Sequence, residues 1–297
     1  MKQAENIVHI EGILSEVDIK TGLTKATATK PAKEYIAGEV KIRTTVMING
    51  APTDLEVPIR MFATKLTNKG TENPGYAAIE KLTQMTSIAA CGDIERADRV
   101  RFNKADIRAN EFYSQDKIIS YPTISGTFCQ KIRKEDCVDT SAFSNVIVVG
   151  AIKEEVDING ELTDRLEITG ILPQYGDKVD VIKYVVASEA AKNYIKTYWN
   201  KGDTVRVAGT ANYSFRTISK EIEMGFGEPE IQTRTVSVRE LLVTKGSQGA
   251  LDEEFSYDAD EISKALAERQ ARLNELKNNA NSKATAAVAQ TTTDFGF

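Results

Sequence analysis

One sequence pattern occurs twice in this chain, and this internal repeat restricts the possible folds more than any other feature. Residues 6–18 align with residues 145–157: in both, an Asn is followed by a β-branched run, a glycine, an apolar pair and a final Val-Asp. A second match aligns residues 98–102 with residues 203–207, each with the pattern Asp-x-Val-Arg and then an apolar residue. Two matches in the same order predict two copies of one folding unit.

Between these matches, the other elements also follow the same order in both copies. Alternation of apolar and polar positions predicts strands, whereas an apolar period of three to four residues predicts one helix in each copy. The predicted second strands are residues 35–46 and 164–172, the third strands 55–63 and 178–187, the helices 77–85 and 188–195, and the fifth strands 123–132 and 235–244. Each copy therefore contains three strands, a helix and two further strands.

This order resembles the OB-fold, a five-stranded barrel whose second and third strands and whose L12 and L45 loops bind oligonucleotides or oligosaccharides. We predict a mainly β protein of two tandem five-stranded OB-fold barrels, each with one helix between strands 3 and 4. A β-sandwich also has short strands at regular spacing, but the single helix at the same place in both copies favours the barrel. The predicted domains are residues 1–140 (with an inserted loop at 23–33), 141–250, a C-terminal helix at 251–278, and a flexible tail at 279–297.

Cysteine and histidine usage argues against several chemistries. The chain has one histidine, His9, and three cysteines, Cys91, Cys129 and Cys137, which form no C-x-x-C pair. We expect three reduced, half-buried thiols rather than a zinc site or a disulfide framework. A catalytic triad would require His9, which lies in a strand-like run without a nucleophile motif, and no phosphate-binding loop motif occurs. We therefore expect a protein without enzymatic activity, metal or cofactor.

The charge is unevenly distributed along the chain. The net charge is −5, from 38 basic and 43 acidic residues, and residues 251–297 alone carry −4. The body is thus near neutral and the tail is acidic, so local clusters must indicate the partners. The sequence has no apolar run of 18 residues and no apolar signal-peptide core at its start, so we expect a cytoplasmic protein.

The second and third strands of the first copy have two distinct faces, because side chains alternate along a strand. The inward face is apolar and contains Ile36, Val40, Ile42, Val46, Leu55, Val57, Ile59 and Met61. The outward face contains two aromatic rings and three basic side chains, namely Tyr35, Lys41, Arg43, Arg60 and Phe62. Rings stack on bases and cations neutralise phosphates, so this face is suited to unpaired nucleotides. The alternative is an ordinary solvated face whose rings are covered by the inserted loop.

Further candidate contacts lie in the later strands of both copies. The predicted set is Arg101, Lys104, Arg108, Phe112 and Tyr113 in the first copy, and Lys183, Tyr184, Arg206, Tyr213, Phe215 and Arg216 in the second. In each copy two aromatics near an Asn stand at the start of the predicted L45 loop, and we expect one of each pair to fill the end of the barrel. The second copy carries Glu167 and Asp180 on its comparable strands, so we expect the first copy to dominate binding.

The last 50 or so residues differ in composition from the two copies. Acidic residues from Asp258 onwards and Lys277 at the other end predict a helix over 258–277. Its apolar stripe is interrupted by Arg269, and we expect this stripe to dock on a barrel. Residues 278–293 are rich in Ala, Thr, Asn and Gln, which predicts a disordered spacer. The final residues Asp294, Phe295 and Phe297 are predicted to form a partner-docking tip.

Repeated OB-like units, a spacer and an acid-plus-Phe terminus together resemble single-stranded DNA-binding proteins of bacteria and their phages. The resemblance implies sequence-independent coating of single-stranded DNA during replication, recombination or repair, with the terminus recruiting partner proteins. Bacterial members usually have one OB-fold per chain and form tetramers, so two folds in one chain are more like phage-encoded versions. The tip here has one acid rather than several, which departs from the family pattern.

Two alternatives fit the same sequence. An OB-fold scaffold in a virion or complex would have buried aromatics on the strand-two and strand-three faces, and an RNA-binding protein would prefer RNA in competition. For the DNA-binding interpretation we expect a single chain to bind tightly as a monomer, because binding by one barrel raises the effective concentration of the other. We also expect that binding weakens steeply with salt.

Overall fold

The computed structural model describes residues 1–27, 31–157, 160–222, 226 and 230–291, without the side chains of 218, 220–222 and 281–291. Within these residues the chain forms thirteen strands and four α-helices. The predicted mainly β class with a C-terminal helix is confirmed. The tip residues Asp294, Phe295 and Phe297 lie outside the described residues.

The first module contains strands β1 to β6 and two helices. The bounds are β1 (Asn6–Leu23), β2 (Glu34–Ile48), β3 (Ala51–Thr64), α1 (Pro74–Leu82), α2 (Ile88–Cys91), β4 (Arg99–Ser114), β5 (Lys117–Ser125) and β6 (Gln130–Ile132). Strand β1 pairs with β2, β2 with β3, β3 in parallel with β5, β5 with β4, and β4 again with β1. Hydrogen bonding thus closes these five strands on themselves.

The second module repeats this pairing order. Its elements are β7 (Thr140–Val156), β8 (Leu162–Gln174), β9 (Lys178–Val186), α3 (Glu189–Tyr198), β10 (Thr204–Asn212), β11 (Phe215–Ile222), β12 (Glu230–Ser237) and β13 (Glu240–Gly246). Strands β7, β8, β9, β13 and β10 close on themselves in the same way. Strands β11 and β12 form a separate two-stranded hairpin.

The predicted alternation of β2 and β3 places the core correctly. Ile36, Val40, Ile42, Leu55, Val57, Ile59 and Met61 are all buried, and Val46 is half-buried. Removing one such aliphatic side chain from water stabilises the fold by about 1.5–3 kcal/mol. The strands coil tightly around this core: a Cβ on Gly12 would lie 2.3 Å from the carbonyl oxygen of Arg43, which explains a glycine inside β1.

Three predicted element boundaries are wrong. Helix α1 begins at Pro74, because the Asn73 side chain caps it by accepting a hydrogen bond from the Gly75 amide. The fifth strand of the first copy is split into β5 and β6, and that of the second copy is β13, since residues 235–237 belong to the β12 arm of the hairpin. The cap of the second helix is confirmed, because the Ser188 side chain accepts a hydrogen bond from the Ala191 amide.

The two modules are joined through their first strands. Residues Asn6–Glu11 of β1 pair antiparallel with Thr140–Asn145 of β7. Asn6 lies opposite Asn145, and its side chain makes two hydrogen bonds with the Ile107 backbone and accepts a third from the Asn145 amide at 3.2 Å. The aligned asparagines of the repeat are therefore partners at the junction.

Helix α4 (Ala259–Thr291) packs across both modules. Ile262 and Ala265 are buried and belong to one cluster with Val148, Ile171 and Val179 of the second module. In the first module, Glu111 of β4 accepts hydrogen bonds from both Arg269 and Arg272. The expected docking of this helix on the strands of the repeat is thus confirmed, and Arg269 interrupts the apolar stripe because it meets a buried carboxylate.

The predicted end of this helix near residue 278 is wrong. Helix α4 continues to Thr291, through the segment expected to be a disordered spacer. That segment is rich in Ala, the residue with the highest helix propensity, and contains neither Gly nor Pro. A helix already nucleated upstream can therefore propagate through it.

Glu111 provides a test of how α4 is held. We expect Glu111→Gln to destabilise the helix–module contact by about 1–3 kcal/mol, because the largely buried Arg269 loses its counter-charge. Thermal unfolding followed by circular dichroism should show a lower midpoint, and limited proteolysis should cleave α4 faster.

The matched control is Asp18→Asn, which removes an exposed pair with Lys20 and should change stability by less than about 0.5 kcal/mol. Equal behaviour of the two variants would show that α4 is held by its apolar contacts alone.

Candidate nucleic-acid interface

The outward side chains of β2 and β3, here called the β2–β3 face, present a stacked aromatic pair. The rings of Tyr35 and Phe62 lie 5.6 Å apart between centroids at an angle of 30°, and Phe62 is 59% exposed. Tyr35 lies opposite Gly22 in the β1–β2 register, and a Cβ at Gly22 would be 2.8 Å from the ring. The glycine therefore makes room for the tyrosine to lie flat.

An open cleft of about 530 Å³ runs beside this pair and is lined by Gly38, Arg60, Phe62 and Gly126, among others. Phe62 is one of several aromatic side chains exposed in the described residues, and its position beside a second ring and Arg60 makes it a candidate contact. In the residues described, the loop between β1 and β2 is closed at its base by the Thr24 and Lys33 backbones and leaves Phe62 exposed.

The basic residues of the β2–β3 face are each paired with a carboxylate. Lys41 lies 2.6 Å from Glu16, Arg43 lies 3.2 Å from Asp54, and Arg60 lies 3.9 Å from Glu39. Glu16 raises the pKa of Lys41, while hydrogen bonds from Thr45 and Arg43 lower the pKa of Asp54. The face is thus electrically balanced rather than cationic, which alternation in single strands could not reveal, because each carboxylate lies on a different strand from its basic partner.

The predicted L45 aromatics of the first copy lie inside β4. Strand β4 runs to Ser114 and turns at Gln115 and Asp116, both with positive φ, into β5. Phe112 is 37% exposed and contacts the Tyr121 ring edge-on at 6.0 Å. The Tyr113 hydroxyl donates to Asp116 at 3.4 Å across the turn.

The equivalent face of the second module, the outward side of β8 and β9, is partly covered, and a cleft of about 440 Å³ remains along it. Strand β9 contacts β4, β5 and α4, and the outward Val179 is buried against α4. Lys183 is held by Glu167 at 3.0 Å. The prediction of Tyr184 as a contact is wrong, because its ring is completely buried in the core.

Three predicted phosphate contacts are instead engaged in ion pairs. Arg101 makes a bidentate pair with the buried Glu11 at 2.5 and 2.9 Å. Arg108 pairs with Asp106 and donates to Gln174 of the second module at 2.5 Å, and Arg206 pairs with Glu5 at 2.9 Å. These ion pairs stabilise the fold and the module contact, and the role of the three arginines as phosphate contacts stays a prediction. Lys104 is exposed, with no carboxylate within 4.0 Å among the described residues.

The aromatic pair of the second copy divides as expected. Tyr213 is buried, its hydroxyl donates to the Pro122 carbonyl at 3.1 Å, and its own carbonyl accepts from the Glu56 amide at 2.9 Å. It therefore joins the modules and is not a nucleotide contact. Phe215 is 59% exposed and Arg216 is exposed, both at the base of the β11–β12 hairpin.

Sequence reasoning missed two residues at the contact between the modules. Arg239 lies over the Tyr121 ring, with its guanidinium carbon 5.3 Å from the centroid. Arg60, which belongs to the same module as Tyr121, donates a long hydrogen bond of 3.5 Å to the Tyr121 hydroxyl. Tyr121 was missed because the fifth strand was predicted to begin at Thr123, and no pattern in the sequence indicated Arg239.

Three other features of the described residues are relevant to function. They contain no cluster of three or more His, Cys, Asp or Glu side chains arranged to hold a metal ion. The three cysteines are free and half-buried. None of the described helices combines the length and apolar character needed to cross a bilayer.

Comparison with known proteins shows the family. The sequence profile of the YorF family matches residues 4–279, and the chain belongs to that family. No curated protein matches the chain.

Two solved structures are similar to this chain. A deletion mutant of the single-stranded DNA binding protein from Thermus aquaticus is 9% identical, with a TM-score of 0.45, and the alignment covers 85% of this chain and 98% of that one. The wild-type protein from the same organism is 9% identical with a TM-score of 0.44, and the alignment covers 84% of this chain and 96% of that one.

The ion pair between Arg101 and Glu11 makes a prediction about stability and pH. Hydrogen bonds from Arg101 and from the Val138 amide lower the pKa of Glu11 to about 2, below its ordinary value of 4.5. Because the folded-state pKa is depressed, this contribution to stability is present above about pH 4.5 and is lost as the pH falls towards about 2.

We therefore expect Glu11→Gln to lower the free energy of unfolding by about 2 kcal/mol at neutral pH, with the difference from wild type shrinking between those two pH values. Urea unfolding at a series of pH values measures this. Glu135→Gln, at an exposed carboxylate paired with Arg133, is the control and should leave the curve unchanged. A constant difference at all pH values would contradict the assignment.

Proposed function

We propose that this protein binds single-stranded DNA without sequence preference and without enzymatic activity, through the β2–β3 face of its first module. The observation that carries the proposal is the stacked Tyr35–Phe62 pair, in which the half-buried Tyr35 supports the exposed Phe62 beside Arg60 along an open cleft. Ring faces accept any base, because every base has a π-surface, so stacking of this kind gives affinity without reading sequence.

We further propose that both modules are OB-folds. The supporting observation is the pairing order, in which the first strand pairs with the second and fourth, and the third pairs in parallel with the fifth. In both modules a helix lies between the third and fourth strands. An OB-fold uses its second and third strands for binding, which is where the aromatic pair of the first module lies.

In this proposal the two modules have unequal roles. Strand β9 of the second module packs against α4, β4 and β5, which leaves less free surface there than on the β2–β3 face, so nucleotides bind chiefly the first module. The second module supports that face and adds the exposed Phe215 and Arg216 at the base of its hairpin. The unequal shares expected from the sequence thus have a physical basis in packing.

Balanced charges on the β2–β3 face determine the expected salt dependence. Exposed ion pairs are worth about 0–1 kcal/mol each, so a phosphate can replace a carboxylate partner at low cost. The carboxylates remain nearby, however, and reduce the gain from each phosphate. We expect stacking to supply most of the affinity, with a shallower salt dependence than a cationic groove would give.

The cellular role follows from the binding activity. A protein that stacks on unpaired bases protects single strands and removes hairpins, as DNA replication, recombination and repair require. We propose that it acts in the cytoplasm, which is the host's cytoplasm if a phage carries the gene. Asp294, Phe295 and Phe297 remain the proposed docking tip for partner proteins. Deleting residues 294–297 separates the two roles, since DNA binding should persist while partner recruitment is lost.

The aromatic pair provides the direct test of the function. We expect the double variant Tyr35→Ala and Phe62→Ala to lose at least tenfold in affinity for oligo-dT, because each base–ring stack contributes about 1–3 kcal/mol. Fluorescence anisotropy with labelled oligo-dT at two salt concentrations measures the change, with oligo-rU as competitor to distinguish DNA from RNA.

The control for this variant is Tyr198→Ala, which removes a 55%-exposed ring from α3 of the second module. It should bind as wild type does. If wild type shows no affinity for oligo-dT, the function is wrong and a scaffold role is preferable. If wild type binds oligo-dT and the double variant binds it equally well, the assignment of the binding site to the β2–β3 face is wrong.

A second test concerns the carboxylates on the same face. Replacing Glu16 and Glu39 by Gln frees Lys41 and Arg60 from their partners. We expect affinity to rise several-fold at low salt and the salt dependence to steepen, because two more cations become available to phosphates. The same anisotropy titration measures both. A lower affinity would mean that these carboxylates hold the cations in their binding positions.

A further inference from the structure

A cluster of three side chains lies at the contact between the two modules, here called the seam: Arg60 and Tyr121 from the first module and Arg239 from the second. The Arg239 guanidinium lies over the Tyr121 ring, 5.3 Å from its centroid. Arg60 reaches the hydroxyl of the same tyrosine at 3.5 Å. The edge of Phe112 contacts that ring from a third side, at 6.0 Å and an angle of 82°. One ring thus fixes two cations from different modules.

The charge of the seam is less compensated than that of the β2–β3 face. Arg239 is exposed and, among the described residues, has no carboxylate within 4.0 Å. Among the described residues, Arg60 pairs only with Glu39, at 3.9 Å. Three carboxylates line the cleft that Tyr121 and Arg239 share, and each has a basic partner: Arg165 pairs with Glu155 and Glu240, and two lysines pair with Glu167. An anion at the seam therefore meets cations whose charge is available.

The seam is continuous with the proposed binding face. Arg60 lines the same cleft as Phe62, at one end of the seam. At the other end, Arg239 follows Val238, whose amide donates to the Ser214 carbonyl next to the exposed Phe215. A single strand that leaves the aromatic pair along this direction passes the seam before it reaches the hairpin of the second module.

We infer that Arg60, Tyr121 and Arg239 form a composite subsite for a backbone phosphate of single-stranded nucleic acid. This inference rests on the proposed function and adds a contribution from the second module through Arg239. A guanidinium stacked on a ring has its plane fixed, while its N–H donors remain free along the edge for bidentate contact with a phosphate.

The competing explanation is that the Arg239–Tyr121 stack only joins the modules. In that case its loss would lower the stability of the folded chain but leave nucleic-acid affinity unchanged. The two explanations therefore differ in a measurable way, provided that stability and binding are measured on the same variants.

The experiment compares Arg239→Gln, Arg239→Lys and the control Arg96→Gln in the full chain. Arg96 is an exposed arginine between α2 and β4, remote in sequence from the seam. Labelled oligo-dT is titrated by anisotropy at four or more salt concentrations, and thermal unfolding is followed in parallel. We expect Arg239→Gln to weaken binding three- to tenfold at low salt and to reduce the slope of log affinity against log salt by about 0.7, the value for one phosphate on a single strand.

Arg239→Lys should keep the slope but recover only part of the affinity, because lysine retains the charge without the planar donor pair. A double-mutant cycle with Tyr121→Leu should show a joint loss smaller than the sum of the single losses, since the ring positions the guanidinium. The control should match wild type in both affinity and slope.

Each remaining outcome contradicts a specific statement. If wild type does not bind oligo-dT, the proposed function fails, and the inference fails with it. If wild type binds but Arg239→Gln has the same affinity and slope, only the inference fails. An unchanged affinity together with a lower unfolding midpoint would show that the stack joins the modules and does nothing more.

Discussion

Strand β1 hydrogen-bonds to three other strands, and the rest of the structure depends on this. It pairs with β2 and β4 inside its own module and with β7 of the next. A strand can do this only if it is long and irregular, and β1 runs for 18 residues with register shifts along its length. Because its first six residues belong to the β7 pairing, the two modules are fixed relative to each other by backbone hydrogen bonds. Side-chain contacts such as Arg108 with Gln174 then lie where that pairing brings them together.

Fixing the modules in this way makes two similar folds unequal on their surfaces. Strands β8 and β9 repeat the pairing of β2 and β3, but the outward side of β9 packs against α4, β4 and β5 over part of its length. The second module therefore has less free surface on this side, and it supports the first module instead. The second module thus supports the β2–β3 face of the first module rigidly. A rigid face favours base stacking, because the rings are already in position and need no ordering when a ligand binds.

Much of this arrangement was predictable from local sequence, and the rest was not. Alternation along β2 and β3 determines which side chains face the core, so the exposed Phe62 and the buried Ile59 were both predicted. Alternation contains no information about neighbouring strands, and for that reason the carboxylate partners of Lys41 and Arg43 were not foreseen. The prediction of Tyr184 as a contact was wrong for a related reason, because the consecutive valines around it leave the strand register undefined. Arg239 and Tyr121 meet only after both modules have folded, so no local pattern could indicate them.

The C-terminal helix has a consequence for shortened forms of the protein. Val148, Ile171 and Val179 form an apolar patch that is covered by Ile262 and Ala265 of α4. A chain that ends before Ala259 would expose these three side chains together to water. Such a fragment would tend to self-associate and lose solubility, even with both sets of strands correctly folded. Oligomers formed by proteolytic products of that length would therefore not reflect the oligomeric state of the full chain.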